Sequence, residues 1–271
     1  MVEAQVRVPP SALTLRTLRS EGYRQRMNPA GLENFLPETT EFLDAALEPR
    51  PSVAAFDCDG TLWAGDAGER FFDWELREDF VFPDRGVREK MSEFWRTRYA
   101  AYKRGEVNET TMCGEMVTLH EGIAEARLVE AGQRFFDELF VGQIFPEMRE
   151  LVRRLADRGC EVWAVSSSNE WVIRAGMKHI GIPENRILAA AVEIENGIVT
   201  DRLLRVPSGL GKAEALREVV RKEIDVAFGN SRWDTEMLAM AKSRFGVNPN
   251  PDLELTARER GWKVYFPEGM R

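Results

Sequence analysis

A chain of 271 residues is long enough for one large domain, or for a core carrying an insertion. Its 44% hydrophobic and 30% charged residues describe a soluble globular protein and exclude a chain too polar to bury a core. The net charge of −8 argues against a dominant nucleic-acid surface, because neutralising phosphates needs clustered excess lysine and arginine.

Residues 1–38 are polar, contain Pro9, Pro10, Pro29 and Pro37, and read as an irregular extension without a motif. Thr39-Thr40 ahead of Glu41-Phe-Leu-Asp-Ala-Ala-Leu47 is expected to start a helix. Val53 to Phe56 is a short apolar run that predicts a buried strand. From about 66 to 143 no strand signal appears. Val87, Met91, Phe94, Trp95, Tyr99 and Tyr102 follow one helix face, as do Leu128, Phe135, Phe136 and Leu139. Pro146 opens a helix that Gly159 ends, and Glu161 to Val165 predicts the second strand. A helix is expected from Asn169 and a strand over Ile187 to Ala191. Val192-Glu-Ile-Glu-Asn196-Gly197-Ile-Val-Thr200 then reads as an Asn-Gly hairpin. After Lys212 come a helix, a strand over Val226 to Phe228, another helix, a strand over Phe245 to Val247, and a last helix and strand near Val264. Strands alternating with helices imply an α/β protein with a doubly wound parallel sheet, and ligands in such sheets sit outside the carboxyl ends of the strands. The expected organisation is an extension over 1–38, a core over 39–62 and 144–271, and a helical insertion over 63–143.

The first strand ends in Asp57-Cys58-Asp59-Gly60-Thr61. Side chains alternate along a strand, so Asp57 and Asp59 leave its end on the same side. Two carboxylates this close raise each other's pKa unless a cation sits between them. One placed to attack and one to move protons is a layout for covalent catalysis through an aspartyl intermediate; the plainer reading is a strand ending in an Asp-rich turn. The three cysteines (Cys58, Cys113, Cys160) are scattered and lack metal-ligand spacing, as expected of reduced thiols in a cytoplasmic protein. Cys58 should point away from the aspartates into the core. No segment reaches the length of a membrane span and the N-terminus lacks a signal peptide's apolar stretch, so no membrane partner is expected. The sequence carries no signal of oligomeric state.

Four segments taken together resemble the haloacid dehalogenase-like superfamily. They are the apolar strand with Asp57-Cys-Asp59-Gly-Thr61, the strand Glu161 to Val165 followed by Ser166, the pair Gly211-Lys212, and Val226-Ala-Phe-Gly229-Asn230-Ser-Arg-Trp-Asp234. They occur in that family's order across roughly residues 50 to 266. A helical insertion after the first motif is similar to the cap of the phosphoserine phosphatase-like branch. The resemblance implies Asp57 as nucleophile, Asp59 as general acid and base, and Lys212 as the cation that neutralises phosphoryl charge. It implies phosphate contacts from Ser166, Ser167, Thr61 and Lys212. It also implies Mg²⁺, held by the Asp57 carboxylate, the Asp59 backbone carbonyl and the fourth-motif residues Asn230 or Asp234. Asp59 favours phosphoryl chemistry over carbon–halogen cleavage, for which the family's dehalogenases need no second acid. Ser166 has an alternative reading as a helix cap, since Ser-Ser-Ser-Asn169 is good N-cap composition. Gly209-Leu-Gly211-Lys212 is not a P-loop, because Val206 and Ala213 stand at its required glycine and hydroxyl positions.

Asn230 stands where the family usually has a metal-binding aspartate. An amide oxygen still ligates Mg²⁺ but brings one negative charge fewer. At an effective dielectric near 20, a unit charge at contact counts for roughly 4 kcal/mol before desolvation. The implied function is therefore a Mg²⁺-dependent phosphomonoesterase for a small phosphorylated metabolite, the alternative being a phospho-ligand binding or regulatory protein with weak or lost turnover. Within the resemblance, Asp66 holds the position that receives a substrate ammonium. Laying Gly105 to Val117 on the cap pattern G-x-L-x-F-x-x-S-L-x-x-R-V puts Met116 at the carboxylate-binding arginine. Amine-bearing phosphates without a carboxylate, such as phosphocholine or phosphoethanolamine, are then expected ahead of phosphoserine. Residues 62 to 145 also hold 14 of the 26 aromatic residues, read either as an ammonium cage or as cap core. Arg88, Lys90, Arg96, Arg98, Lys103 and Arg104 are interleaved with Glu89 and Glu93 and read as a solvated helix face rather than a nucleic-acid patch.

Overall fold

The computed structural model describes residues 35–48 and 50–270. Most of the expected 1–38 extension lies outside the described residues.

A seven-stranded sheet runs in the order β4-β3-β2-β1-β5-β6-β7. Its strands are β1 (Val53–Phe56), β2 (Glu161–Asn169), β3 (Ile187–Glu195), β4 (Ile198–Arg205), β5 (Val226–Gly229), β6 (Ser243–Val247) and β7 (Lys263–Tyr265). Every pairing is parallel except β3 with β4. That exception is the expected hairpin, where Asn196 and Gly197 both take positive φ, 52° and 78°, as a tight two-residue turn of this hand requires. The hairpin is longer than expected at both ends, because the Ile187–Ala191 run continues through it as one strand.

Alternation in β1 and β5 separates two cores. Ala54, Phe56, Val226 and Phe228 face one cluster, while Val53, Ala55 and Ala227 face the other. On the first face Phe56 stacks on Phe228 at 4.3 Å and Phe228 on Phe245 at 5.0 Å, a ladder across three adjacent strands. Helix α1 (Pro37–Leu47) closes it with Phe42, edge-on to Phe245 and stacked on Tyr265 at 3.9 Å. Each fully buried phenylalanine contributes about 2 kcal/mol or more of transfer free energy. Helix α1 begins at Pro37 rather than at Thr39-Thr40: proline at the first turn lacks only an N–H that would be unpaired anyway. Thr39 instead lies buried, sharing a 2.9 Å hydrogen bond with the Tyr265 hydroxyl.

Between β1 and β2 the chain is helical, as expected: α2 (Ala67–Arg77), α3 (Arg85–Lys103), α4 (Glu109–Thr118), α5 (Glu125–Phe135) and, after a π-helical turn over Phe136–Phe140, α6 (Pro146–Asp157). The stripe on α3 is narrower than its sequence pattern. Trp95 is buried, but Val87 and Phe94 are exposed, as is Leu139 on the second stripe. Inside the insertion a fully buried Glu75–His120 pair, 3.2 Å apart, ties α2 to the residues after α4. The insertion is also fastened to the sheet's hairpin. The amides of Gly122 and Glu125 donate to the carbonyls of Val199 and Gly197, and the Val199 amide donates to Ile123. Gly132 in α5 packs so closely on α7 (Glu170–Ile180) that a Cβ there would lie 2.8 Å from the Trp171 carbonyl oxygen. Helices α8 (Leu210–Val219), α9 (Thr235–Met240) and α10 (Pro251–Arg260) complete the fold, all three contributing to the second core.

Candidate active site

The amide of Asp57 donates to the carbonyl of Phe228 at 2.9 Å, which fixes this aspartate at the carboxyl end of β1 beside β5. Glycine follows at position 60 with φ of +80°, and the chain turns back under the strand. A cavity of about 620 Å³ opens here, between the strand ends and the helical insertion.

Three charged groups meet at its floor. The Lys212 ammonium, presented by the first turn of α8, donates to Asp57 Oδ1 and to Asp234 Oδ1, both at 2.6 Å. All three residues are at most 5% exposed. Burial alone would lower the lysine's pKa, but Asp234 and Asp57 outweigh it and hold the ammonium above its ordinary value. Burial, then Asp234, push the Asp57 carboxyl up to about 7 against the opposing pull of Lys212 and Thr61. Cys58, between the two aspartates, is fully buried in the core.

Asp234 is committed elsewhere than expected. Its Oδ2 accepts from the amides of Asn230 and Ser231, both at 2.9 Å, while its Oδ1 holds Lys212. The close fit leaves no room for a side chain at Gly229, whose Cβ would sit 2.5 Å from Asp234 Cβ. In this arrangement Asp234 is the lysine's second counter-charge. Thr61, expected at the phosphate, is fully buried and donates to Asp57 Oδ2 at 2.7 Å, so it orients the nucleophile candidate.

Asp59 is held by donors on both oxygens. Trp63 Nε1 (2.7 Å) and the Ala67 amide at the start of α2 (2.6 Å) serve Oδ1, and Ser168 Oγ (2.7 Å) serves Oδ2. Burial raises its pKa, opposed by these hydrogen bonds. The group lines the cavity, with its pKa held above the ordinary carboxylate value.

The two serines expected at the phosphate differ in exposure. Ser166 is 1% exposed and its hydroxyl accepts from the Ser168 amide at 3.1 Å, whereas Ser167 and Ser168 line the cavity. The β2–β3 ladder slips between Val165 and Asn169, and this slip breaks the alternation that would have pointed Ser166 outward. Nor does Ser166 cap α7; Asn169 does, accepting from the Val172 amide at 3.0 Å.

The donors available to a metal are oxygens only, which suits a hard cation such as Mg²⁺. The Asn230 side chain lies against the Asp59–Gly60 turn, so close that a Cβ on Gly60 would fall 1.8 Å from its Nδ2. Asp57 and Asn230 line the same cavity. No cluster of three or more His, Cys, Asp or Glu fit for a metal occurs among the described residues. The residues present therefore fit Mg²⁺ with one carboxylate, supplemented by amide and backbone oxygens.

The helical wall carries Asp66, Met116, Trp95, Tyr99 and Tyr102 as expected, and also an acid that the sequence pattern does not single out. Asp66 caps α2, accepting from the Glu69 amide at 2.8 Å, and solvent reaches it through the cavity. Glu109, the first residue of α4, is 8% exposed; its carboxylate accepts from Ser208 Oγ at 2.8 Å, and burial raises its pKa. The register that puts Met116 at the pattern's arginine puts Glu109 at its phenylalanine, a signal that would have found it.

Comparison with known proteins bears on this arrangement. A family model described as haloacid dehalogenase-like hydrolase matches residues 54–239. The chain is 26% identical to a putative hydrolase, ML2424, of Mycobacterium leprae, over 85% of this chain and 79% of that one. It is 30% identical to phosphoserine phosphatase SerB1 of Mycobacterium tuberculosis, over 53% of this chain and 48% of the relative. It is 26% identical to histidinol-phosphatase of Neisseria meningitidis, over 79% of this chain and 97% of the relative. Among solved structures, a protein of unknown function from Bordetella pertussis superposes with a TM-score of 0.68 at 20% identity, covering 79% of this chain and 97% of that one. A probable phosphoserine phosphatase from Vibrio cholerae gives 0.55 at 19% identity, covering 78% and 59%. At these identities the structural likeness speaks to the fold. Among the described residues no helix is long and apolar enough to cross a membrane.

Proposed function

The chain belongs to the haloacid dehalogenase-like hydrolase family and is a phosphatase of that family; we propose that it cleaves small phosphomonoesters through a phosphorylated Asp57. The observation that carries this reading is the buried Asp57–Lys212–Asp234 arrangement, with Asp59 held over the same cavity.

In the first step an Asp57 oxygen attacks phosphorus while the bond to the alcohol oxygen breaks, and Asp59 gives its proton to that oxygen. Asp59 then takes a proton from water, whose oxygen attacks phosphorus as the bond to Asp57 breaks. Inorganic phosphate leaves and the Asp57 carboxylate is restored. Lys212 offsets charge on the phosphoryl oxygens, the Ser167 amide donates to them, and Thr61 keeps Asp57 oriented. Mg²⁺ bound by the Asp57 carboxylate, the Asp59 carbonyl and the Asn230 amide oxygen would supply positive charge against the repulsion between Asp57 and a dianionic phosphate. Asp66 on the cavity wall supports an amine on the alcohol side of the substrate, and Met116 stands where the cap pattern has its carboxylate-binding arginine.

The test is hydrolysis of p-nitrophenyl phosphate with Mg²⁺ and its loss in EDTA, together with a phosphoryl adduct mapped to Asp57 after acid quench. Turnover without an adduct would replace the covalent route with direct attack by water. No turnover of p-nitrophenyl phosphate or of any small metabolite phosphate would favour a phospho-ligand binding protein, the reading that Asn230 supports through a weaker metal site.

A further inference from the structure

Resting on the phosphatase reading, we propose that Glu109 is a specificity-determining residue of this cavity. With Asp66, it selects phosphomonoesters whose alcohol carries two separated basic nitrogens and no carboxylate. The two acids reach the cavity from different helices, Asp66 as the cap of α2 and Glu109 as the first residue of α4. Among the described residues neither forms a salt bridge, and the Lys212 ammonium is committed to Asp57 and Asp234. Glu109 accepts from hydroxyls, Ser208 at 2.8 Å and Tyr102 at 3.4 Å, and feels the Lys212 charge without pairing with it. For a carboxylate this buried with no cation in contact, a cation brought by the bound molecule favours the charged form.

The rest of the wall agrees. Trp95, Tyr99 and Tyr102 line the same wall, and rings of this kind attract cations. The cavity's other basic side chains already lie over rings, Arg70 over Phe140 at 5.5 Å and Lys103 over Tyr99 at 4.7 Å. Two acids, Asp66 and Glu109, and the uncharged Met116 line this wall.

The experiment uses the full chain with Mg²⁺ and three probes: histidinol phosphate with two basic nitrogens, phosphoethanolamine with one, and phosphoserine with an amine and a carboxylate. We expect kcat/KM to fall in that order, with histidinol phosphate ahead of phosphoethanolamine by about tenfold. Glu109→Gln should shrink that ratio to about twofold, and Glu109→Asp should restore part of it. A ratio of two substrates is independent of the fraction of enzyme correctly folded. Calorimetric binding of histidinol against ethanolamine, which needs no turnover, should show the same order in the parent chain. Phosphoserine as best substrate, or a ratio unchanged in Glu109→Gln, overturns the inference alone. Preferential binding of histidinol without turnover of any phosphate overturns the phosphatase reading and upholds the role of Glu109.

Discussion

The two walls of the cavity treat charge in opposite ways. On the sheet side, both oxygens of Asp57, Asp59 and Asp234 have protein donors, and a buried lysine sits between two of the acids. On the helical side, Asp66 and Glu109 form no salt bridge among the described residues. The difference separates two tasks. The sheet side is assembled in advance around phosphoryl chemistry and gains little by waiting for substrate. The helical side leaves its charge to be completed by whatever alcohol is attached to the phosphate.

The strongest way to break the contrast is at Asp57. Asp57→Asn keeps the shape and leaves Lys212 paired with Asp234, so the fold should survive while kcat falls at least about 10³-fold, read with p-nitrophenyl phosphate. A loss below about tenfold would move the nucleophile elsewhere.

The same variant probes the energetics of the sheet side. Asp57 has its pKa raised to about 7 in the folded chain against about 4 unfolded, so the folded state holds its proton more tightly. Its contribution to stability is full below about pH 4 and is lost as pH rises through about 7. Without divalent cations, Asp57→Asn should therefore gain stability relative to the parent between pH 4.5 and 7.5, by about 2 kcal/mol. Equal pH profiles in denaturant melts would show that Lys212 already compensates the carboxylate fully.

Asn230→Asp sharpens the metal reading. One added charge against the Asp59–Gly60 turn should lower the half-saturating Mg²⁺ concentration about tenfold, measured by activity or calorimetry. No change would place Asn230 outside the coordination sphere. The smallest effect belongs to the helical side. Asp66→Asn keeps a good helix cap and should reduce the preference for phosphoethanolamine over glycerol phosphate by about three- to tenfold in kcat/KM, as fits one solvated charge pair. A preference that stays intact makes Asp66 a cap residue only.

What is legible in the sequence follows from how local each feature is. The β1 motif can be read because strand, turn and both acids are contiguous, and the Asn196-Gly197 hairpin because its turn dictates its residues. Which of Ser166 and Ser167 faces the cavity is not legible, because the β2–β3 pairing shifts register between Val165 and Asn169, a shift set by the neighbouring strand. The commitment of Asp234 depends on Lys212, 22 residues away in sequence and 2.6 Å away in space. Glu109 is one acid among many in a charged segment, distinguished by the cap register that sets it at a phenylalanine position and by its burial beside Ser208. Val87 and Phe94 satisfy a helical period, yet α3 touches the fold over a narrower arc than that period allows.

The three backbone hydrogen bonds between residues 122–125 and the β3–β4 turn bear on modularity. Residues 63–143 look in sequence like a cassette that starts after one strand and stops before the next. Their edge, however, is paired to chain lying more than 70 residues downstream, and a Cβ added to Gly114 in α4 would lie only 3.2 Å from the Leu203 side chain of β4. A chimaera that exchanges the insertion alone would strand those amides and carbonyls against a foreign hairpin. The unit that can be transplanted between relatives is discontinuous: the helices together with residues 187–205.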